Sequence, residues 1–359
     1  MPLAVSAFPR APRARSAALI AAIALAVPSV ARAQTERRAV PGDQVAIYNL
    51  AGHLRAEGGG SGDVMVEVTR AGRDASKLEV RAGTRGGRHT LSVVYPSDRV
   101  VYPELGRGSN TELSVNDDGT FDDNDRGDRE RVQIRGSGSG LEAHADLRVV
   151  IPRGKSVALH LGAGDVQISN VDGDLRASVG AASITSEHTR GMLTLDTGSG
   201  EVRVSDAQGP VSLDTGSGGV TLTGMKGESL RLDTGSGSVH ADDVDVRDLV
   251  ADVGSGGIHL GRTRATRVKL DTGSGGTDIE LLSTVDELTI DGGSGGVTVH
   301  VPATIGADVD IETGSGGIDT DFPVQVTRYE RTHLRGRIGD GHGRIRIESG
   351  SGRVQLLKS

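Results

Sequence analysis

Leu193-Thr194-Leu195-Asp196-Thr197-Gly198-Ser199-Gly200-Glu201-Val202-Arg203-Val204 is the stretch from which the fold is read. Leu193, Leu195 and Thr197 alternate with Thr194 and Asp196. Past the glycines, Val202 and Val204 alternate with Glu201 and Arg203. A period of two means strands with one buried face. Gly198-Ser199-Gly200 marks a corner that needs positive φ or close backbone approach. A second polar turn, Ser205 to Pro210, leads on to the next unit. Asp-Thr-Gly-Ser-Gly returns at Asp214, Asp233 and Asp271, with variants at Asp252, Asp291, Glu312 and Glu348. From Asp196 to Glu312 the steps are 18, 19, 19, 19, 20 and 21 residues. Weaker copies place Gly162 and Gly180 at 18-residue steps before Gly198, and Leu54 to Val64, with its Gly58–Gly62 run, reads as a still earlier relative.

A unit this short cannot bury its apolar face alone, so units must stack. The sequence therefore predicts an all-β chain: a parallel β-solenoid with about 18–20 residues per coil. Inward positions line up as Leu195, Leu213, Leu232, Ala251, Leu270, Ile290 and Ile311. An antiparallel meander with Gly-Ser-Gly at hairpin tips is the alternative, and the near-constant period favours the solenoid. Residues 158–359 read as regular repeats. Residues 34–157 read as degenerate N-terminal coils of the same domain, interrupted by a polar acidic loop from Asn110 to Arg131. After Glu312 the period breaks, and Tyr329 to Arg344 reads as a hairpin around Gly339-Asp340-Gly341.

Residues 1–33 read as a secretory signal. Arg10, Arg13 and Arg15 precede an apolar run from Ser16 to Val30, and Ala31-Arg32-Ala33 supplies a cleavage site before Gln34. Loss of Arg10, Arg13, Arg15 and Arg32 takes the net charge from −8 to −12. That balance argues against nucleic acid and anionic membranes as partners. The chain has no cysteine, and so no disulfides and no lipid attachment site. No later segment reads as a transmembrane span. Export places the protein in the periplasm, on the cell surface or in the medium. Aromatics are 2 % of residues, too few for a core rich in Phe and Trp, so stacked Val, Leu and Ile must make it.

A lone Asp-Thr-Gly-Ser would suggest an aspartic protease, in which two carboxylates share a proton. Repeated copies facing one way do not build that pair, and the alternation turns Asp outward. Asp196, Asp214, Asp233, Asp252, Asp271 and Asp291 are expected to cap the following turn amides as Asx-turns. One coil apart, like charges repel by roughly 0.9 kcal/mol in water before screening. Ca²⁺ would relieve this, but the Ca²⁺-binding repeat motif puts Asp after its glycines, and here Asp comes first. Two other metal candidates stand out. Asp117, Asp118, Asp122, Asp123 and Asp125 supply hard oxygens in the acidic loop, without an EF-hand register. Stacking also puts His240, His259 and Asp278 on consecutive coils of an outer face, a set suited to Zn²⁺. No catalytic or cofactor motif is present.

The pattern Leu-x-Leu-Asp-Thr-Gly-Ser-Gly-Gly-Val resembles exported bacterial β-strand-repeat proteins known as putative adhesins, a domain family of unknown function. The resemblance spans roughly residues 45 to 357, including Val94-Tyr95-Pro96 and Val150-Ile151-Pro152 at the entry to the coils. It implies a non-catalytic binding or scaffolding module at the cell envelope, facing an envelope or extracellular protein or glycan. An enzyme acting on envelope polysaccharide and a cation-stabilised structural repeat are the alternatives. The Asp-rich insertion and the hairpin after Thr327 depart from the family pattern.

Overall fold

The computed structural model describes residues 34–121 and 129–359. The signal segment 1–33 lies outside the described residues. The alternating pattern forms strands throughout: 23 of them join one continuous sheet, and three form a smaller one. Among the described residues no helix is long and apolar enough to cross a membrane.

Each repeat contributes two strands to two walls. On the first wall Leu193–Ser199, Val211–Thr215 and the later parts of the strands Val220–Thr234, Val239–Val253 and Ile258–Thr272 run parallel, with Leu195, Leu213, Leu232, Ala251 and Leu270 in one column. On the second wall Val202, Val220, Val239, Ile258, Thr277 and Val297 pair in sequence. Both columns are buried. Each large aliphatic contributes about 1.5–3 kcal/mol by leaving water, and in-register pairing places it against its equivalents above and below.

The stack is not in chain order at its C-terminal end. Gly343–Ser349 pairs parallel with Glu287–Gly292 on one side and with Ala307–Thr313 on the other. The last coil is thus inserted between two earlier ones, and Ile347 separates Ile290 from Ile311 in the column. The pattern could not reveal this, because all three positions carry the same side chain. The late hairpin also differs from expectation. Gln325–Glu330 pairs antiparallel with His333–Ile338, so its tip is Arg331-Thr332. Gly339 to His342 instead carries the chain into the inserted coil.

The sheet is mixed where uniform parallel pairing was expected. Gln44–Gly58 is a complete coil in parallel register with Ser156–Ser169, and Gly52 faces Gly164. The corner is therefore Ala51-Gly52-His53, and the Gly58–Gly62 run follows the end of this strand. Beyond it the wall is built from two separate pieces, Arg88–Val94 and His144–Ile151. Antiparallel strands close both ends: Glu79–Arg85, Val64–Ala71 and Gln34–Val40 at one, and the late hairpin at the other. Such capping is what a stack with open edges requires. The stretch expected as an acidic loop begins and ends in strands. Asn110–Asn116 and Arg129–Arg135 pair with each other, and Arg99–Val101 completes the small sheet. That sheet rests on the corners of the first regular coils: a Cβ at Gly162 would lie 2.6 Å from Leu113 and 2.8 Å from Ile134.

At the Gly-Ser-Gly corners one backbone packs on the next. A Cβ at Gly218 would stand 1.6 Å from the carbonyl oxygen of Gly200, and one at Gly237 1.9 Å from that of Gly218. Backbone cannot move aside as a side-chain tip can. Gly218→Ala is therefore expected to cost about 3 kcal/mol or more. Urea unfolding checks this, and an unchanged midpoint would refute close packing at the corner.

Candidate functional site

The corner's threonine, not its aspartate, ties the turn. Thr234 is buried, its hydroxyl donates to the Gly218 carbonyl of the preceding coil at 3.1 Å, and it accepts from the Gly237 N–H at 3.0 Å. Thr215, Thr272 and Thr313 repeat both bonds, Ser349 does so at the last copy, and Thr197 donates to Ala182. Of the expected caps Asp196, Asp214, Asp233, Asp252, Asp271 and Asp291, those at Asp214, Asp233 and Asp271 are thereby corrected, because the turn amide goes to the neighbouring threonine. Side chains alternate along the strand, so the residue that faces the core beneath the corner reaches its amides, and that residue is Thr. The signal was present in the inward threonine of the first repeat.

The aspartates instead form a row along the outer face of the first wall. Asp196, Asp214, Asp233, Asp252, Asp271, Asp291, Glu348 and Glu312 are successive partners, one per coil. Burial, then the charges of Asp214 and Asp252, push the Asp233 carboxyl above its ordinary value, while Arg231 draws it down. Asp271 is raised likewise by burial and by Asp252 and Asp291, against Lys269.

The predicted column of His240, His259 and Asp278 is present on the second wall. The two imidazoles lie 6.0 Å apart, and His259 Nδ1 is 3.5 Å from Asp278 Oδ2. They share an open groove with Asp242, Arg262 and His300. Set in a line by the register, they do not converge, and among the described residues no group of three or more His or acidic side chains could hold a metal ion. In the acidic stretch, Asp122, Asp123 and Asp125 lie outside the described residues. Asp118 accepts from the Thr120 amide at 3.0 Å and hydroxyl at 2.6 Å and pairs with Arg85 at 3.2 Å. Burial opposes its charge, but these partners hold it below the usual value. Asp117 uses its backbone carbonyl to accept from Arg81. Asp118 thus secures a turn beside a buried aromatic cluster, in which His160 stacks on Tyr48 at 4.4 Å and meets the Phe121 edge.

Sequence reasoning missed a centre around His53. Its Nδ1 lies 2.5 Å from Asp165 Oδ1 and its Nε2 2.8 Å from Glu104 Oε2, while its backbone N–H donates to Asp146 at 3.0 Å. The Tyr102 hydroxyl donates to the same Glu104 oxygen. A ring with carboxylate oxygens at both nitrogens satisfies both only as the imidazolium. Burial favours the neutral ring, but Asp165 first, then Asp146 and Glu104, raise the pKa above 6.5. The centre joins the Pro103–Leu105 turn of the insertion to two coils of the stack. Aligning Gly52 with Gly164 would have put His53 beside Asp165, but Glu104 and Asp146 arrive only through folding.

Residues 207–357 match the family model described as Toastrack DUF4097. The resemblance to the bacterial β-strand-repeat proteins holds over this part of the chain. A putative cell adhesion protein from Clostridium sporogenes is 11 % identical, over 91 % of this chain and 100 % of its own, with a TM-score of 0.24. A putative adhesin from Parabacteroides distasonis is 10 % identical, over 90 % of this chain and 96 % of its own, with a TM-score of 0.42. No curated protein matches.

Two predictions separate these roles. Thr234→Val should cost about 1–3 kcal/mol by leaving a half-buried amide and carbonyl short of a partner. Asp233→Asn should instead stabilise by up to about 1 kcal/mol at neutral pH and low salt. A carboxyl whose folded pKa is raised favours the fold below its unfolded pKa and loses that contribution as pH rises through the folded value. The Asn gain should therefore vanish below the carboxylate range and shrink with salt. Denaturant midpoints against pH decide, and a loss of stability in Asp233→Asn would restore the capping role. For His53 the raised pKa gives stability that is present below pH 6.5 and lost as pH rises through the folded value. NMR titration should place this ring above 6.5, and the stability difference between wild type and His53→Gln should narrow at alkaline pH.

Proposed function

We propose that this protein is a non-catalytic binding or scaffolding module, exported to the cell envelope, whose stacked coils form a β-solenoid and present an extended ligand surface. The carrying observation is the acidic row from Asp196 to Glu312, one carboxylate per coil on an outer face. A regular row of like charges suits a partner with spaced cationic groups, bound by many weak contacts that salt screens. The family match at residues 207–357 supports an adhesin-like reading. The carboxylates around His53 are engaged by its ring, its amide and Tyr102, which favours a structural role there over catalysis.

Immobilised protein should retain envelope fragments of the producing bacterium, and retention should fall with salt. Changing Asp214, Asp252 and Asp291 together to Asn should reduce it several-fold. Equal retention by this variant would remove the row as the ligand surface. Export is checked separately, since N-terminal sequencing of envelope-recovered protein should begin at Gln34. The spacing of the row, one carboxylate per coil, supports a second reading, a row stabilised by loosely held divalent cations. Thermal melts in Ca²⁺ and in EDTA decide it, and equal midpoints discard it.

A further inference from the structure

We propose that a groove at the second corner of the first coils binds an acidic glycan, a hydroxyl-rich chain carrying carboxylates. This corner turns through the left-handed region in coil after coil. Asn170, His188, Asp206, Asp243 and Arg262 have φ of 56°, 53°, 52°, 55° and 43°, and Gly224, the equivalent residue between Asp206 and Asp243, has 71°. Glycine takes this conformation freely and Asn and Asp at little cost, while a bulky side chain such as that of Arg262 does so under strain. Gly224 demonstrates that the corner accepts glycine, yet the other five positions keep side chains. Polar side chains kept along one line of a surface where glycine fits point to use of what they display.

Asn170, His188 and Asp206 line a groove of about 490 Å³ together with Arg153, Arg190 and Gln208. Its far wall is the bare backbone of Gly58, Gly59 and Gly60, and a Cβ at Gly58 would lie 1.8 Å from the Asn170 carbonyl oxygen. The acids in the groove are matched: Arg153 pairs with Asp172 at 3.2 Å and His188 with Asp206 at 3.3 Å. Arg190 is exposed and has neither an ion pair nor a side-chain hydrogen bond among the described residues. Thr189, also lining the groove, buries its hydroxyl without a partner. One uncommitted guanidinium supplies the planar fork that a carboxylate takes. Amides, an imidazole and a carboxylate beside it supply donors and acceptors for sugar hydroxyls. No Phe, Tyr or Trp lines the groove, so recognition rests on hydrogen bonds and on the one guanidinium without an ion pair.

The inference does not depend on the acidic row. In affinity electrophoresis at low salt, the full chain should be retarded by polygalacturonate and not by neutral dextran. Arg190→Gln should weaken retardation by tenfold or more. A variant with Asn170, His188 and Asp206 all changed to Gly should still fold, because the left-handed corner accepts glycine as at Gly224, and should lose retardation. The Asp214, Asp252 and Asp291 to Asn variant should be retarded as wild type, so failure of the row as a ligand surface leaves this site standing. Indifference of the wild type to polygalacturonate, equal retardation by dextran, or undiminished retardation of the triple glycine variant would each overturn the proposal.

Discussion

Everything in this protein depends on the approach of one backbone to the next at the Gly-Ser-Gly corner. The coils can pair in register only if the corners nest, and nesting leaves no room for a Cβ at positions such as Gly218 and Gly237. Where threonine stands beneath the corner, as at Thr215, Thr234, Thr272 and Thr313, it serves both layers, donating to the coil behind and accepting from the turn in front. A hydroxyl in that place turns half-buried amide and carbonyl groups, which are costly if left unpaired, into links between coils. Registry at the corner carries along both walls, so aliphatic columns and surface rows follow from one contact.

The same registry turns single outward residues into lines. Aspartates that would be ordinary alone become a row in which burial, and then neighbouring carboxylates, push Asp233 and Asp271 above the usual value. Histidines a repeat apart in sequence become neighbours 6.0 Å apart. The second corner becomes a line of side chains in the left-handed conformation. A repeat fold thus writes its surface chemistry in columns, and departures from the repeat mark the places where chemistry is local. His53 is the clearest such place, held by residues from the stack and from the insertion at once.

Legibility in the sequence followed the reach of the periodicity. The strands, the outward Asp and inward Thr, and the His240–His259–Asp278 column were readable because each needs only the period and the alternation of sides. The capping role was misassigned because Asp and Thr both cap turns, and only burial decides which hydroxyl or carboxylate meets the amide. The alignment of Gly58–Gly62 with the corner failed because glycine marks both kinds of turn, and pairing to Ser156–Ser169 selects Gly52. The small sheet of the insertion went unread where acidic residues outweighed the alternation of Leu113 with Val115 and of Val132 with Ile134.

By itself the sequence determined an all-β chain of stacked units, the side on which each residue stands, and the residues that share a column. These are local consequences of a two-residue alternation and a near-constant repeat length. Only the tertiary structure decided that the last coil enters between two earlier ones, that the ends close with antiparallel strands, and that His53 meets Glu104 and Asp146. Equivalent aliphatics at Ile290, Ile311 and Ile347 make alternative stacking orders look alike in one dimension. The order is settled by which edges remain to be covered and by the path that the connecting loops allow.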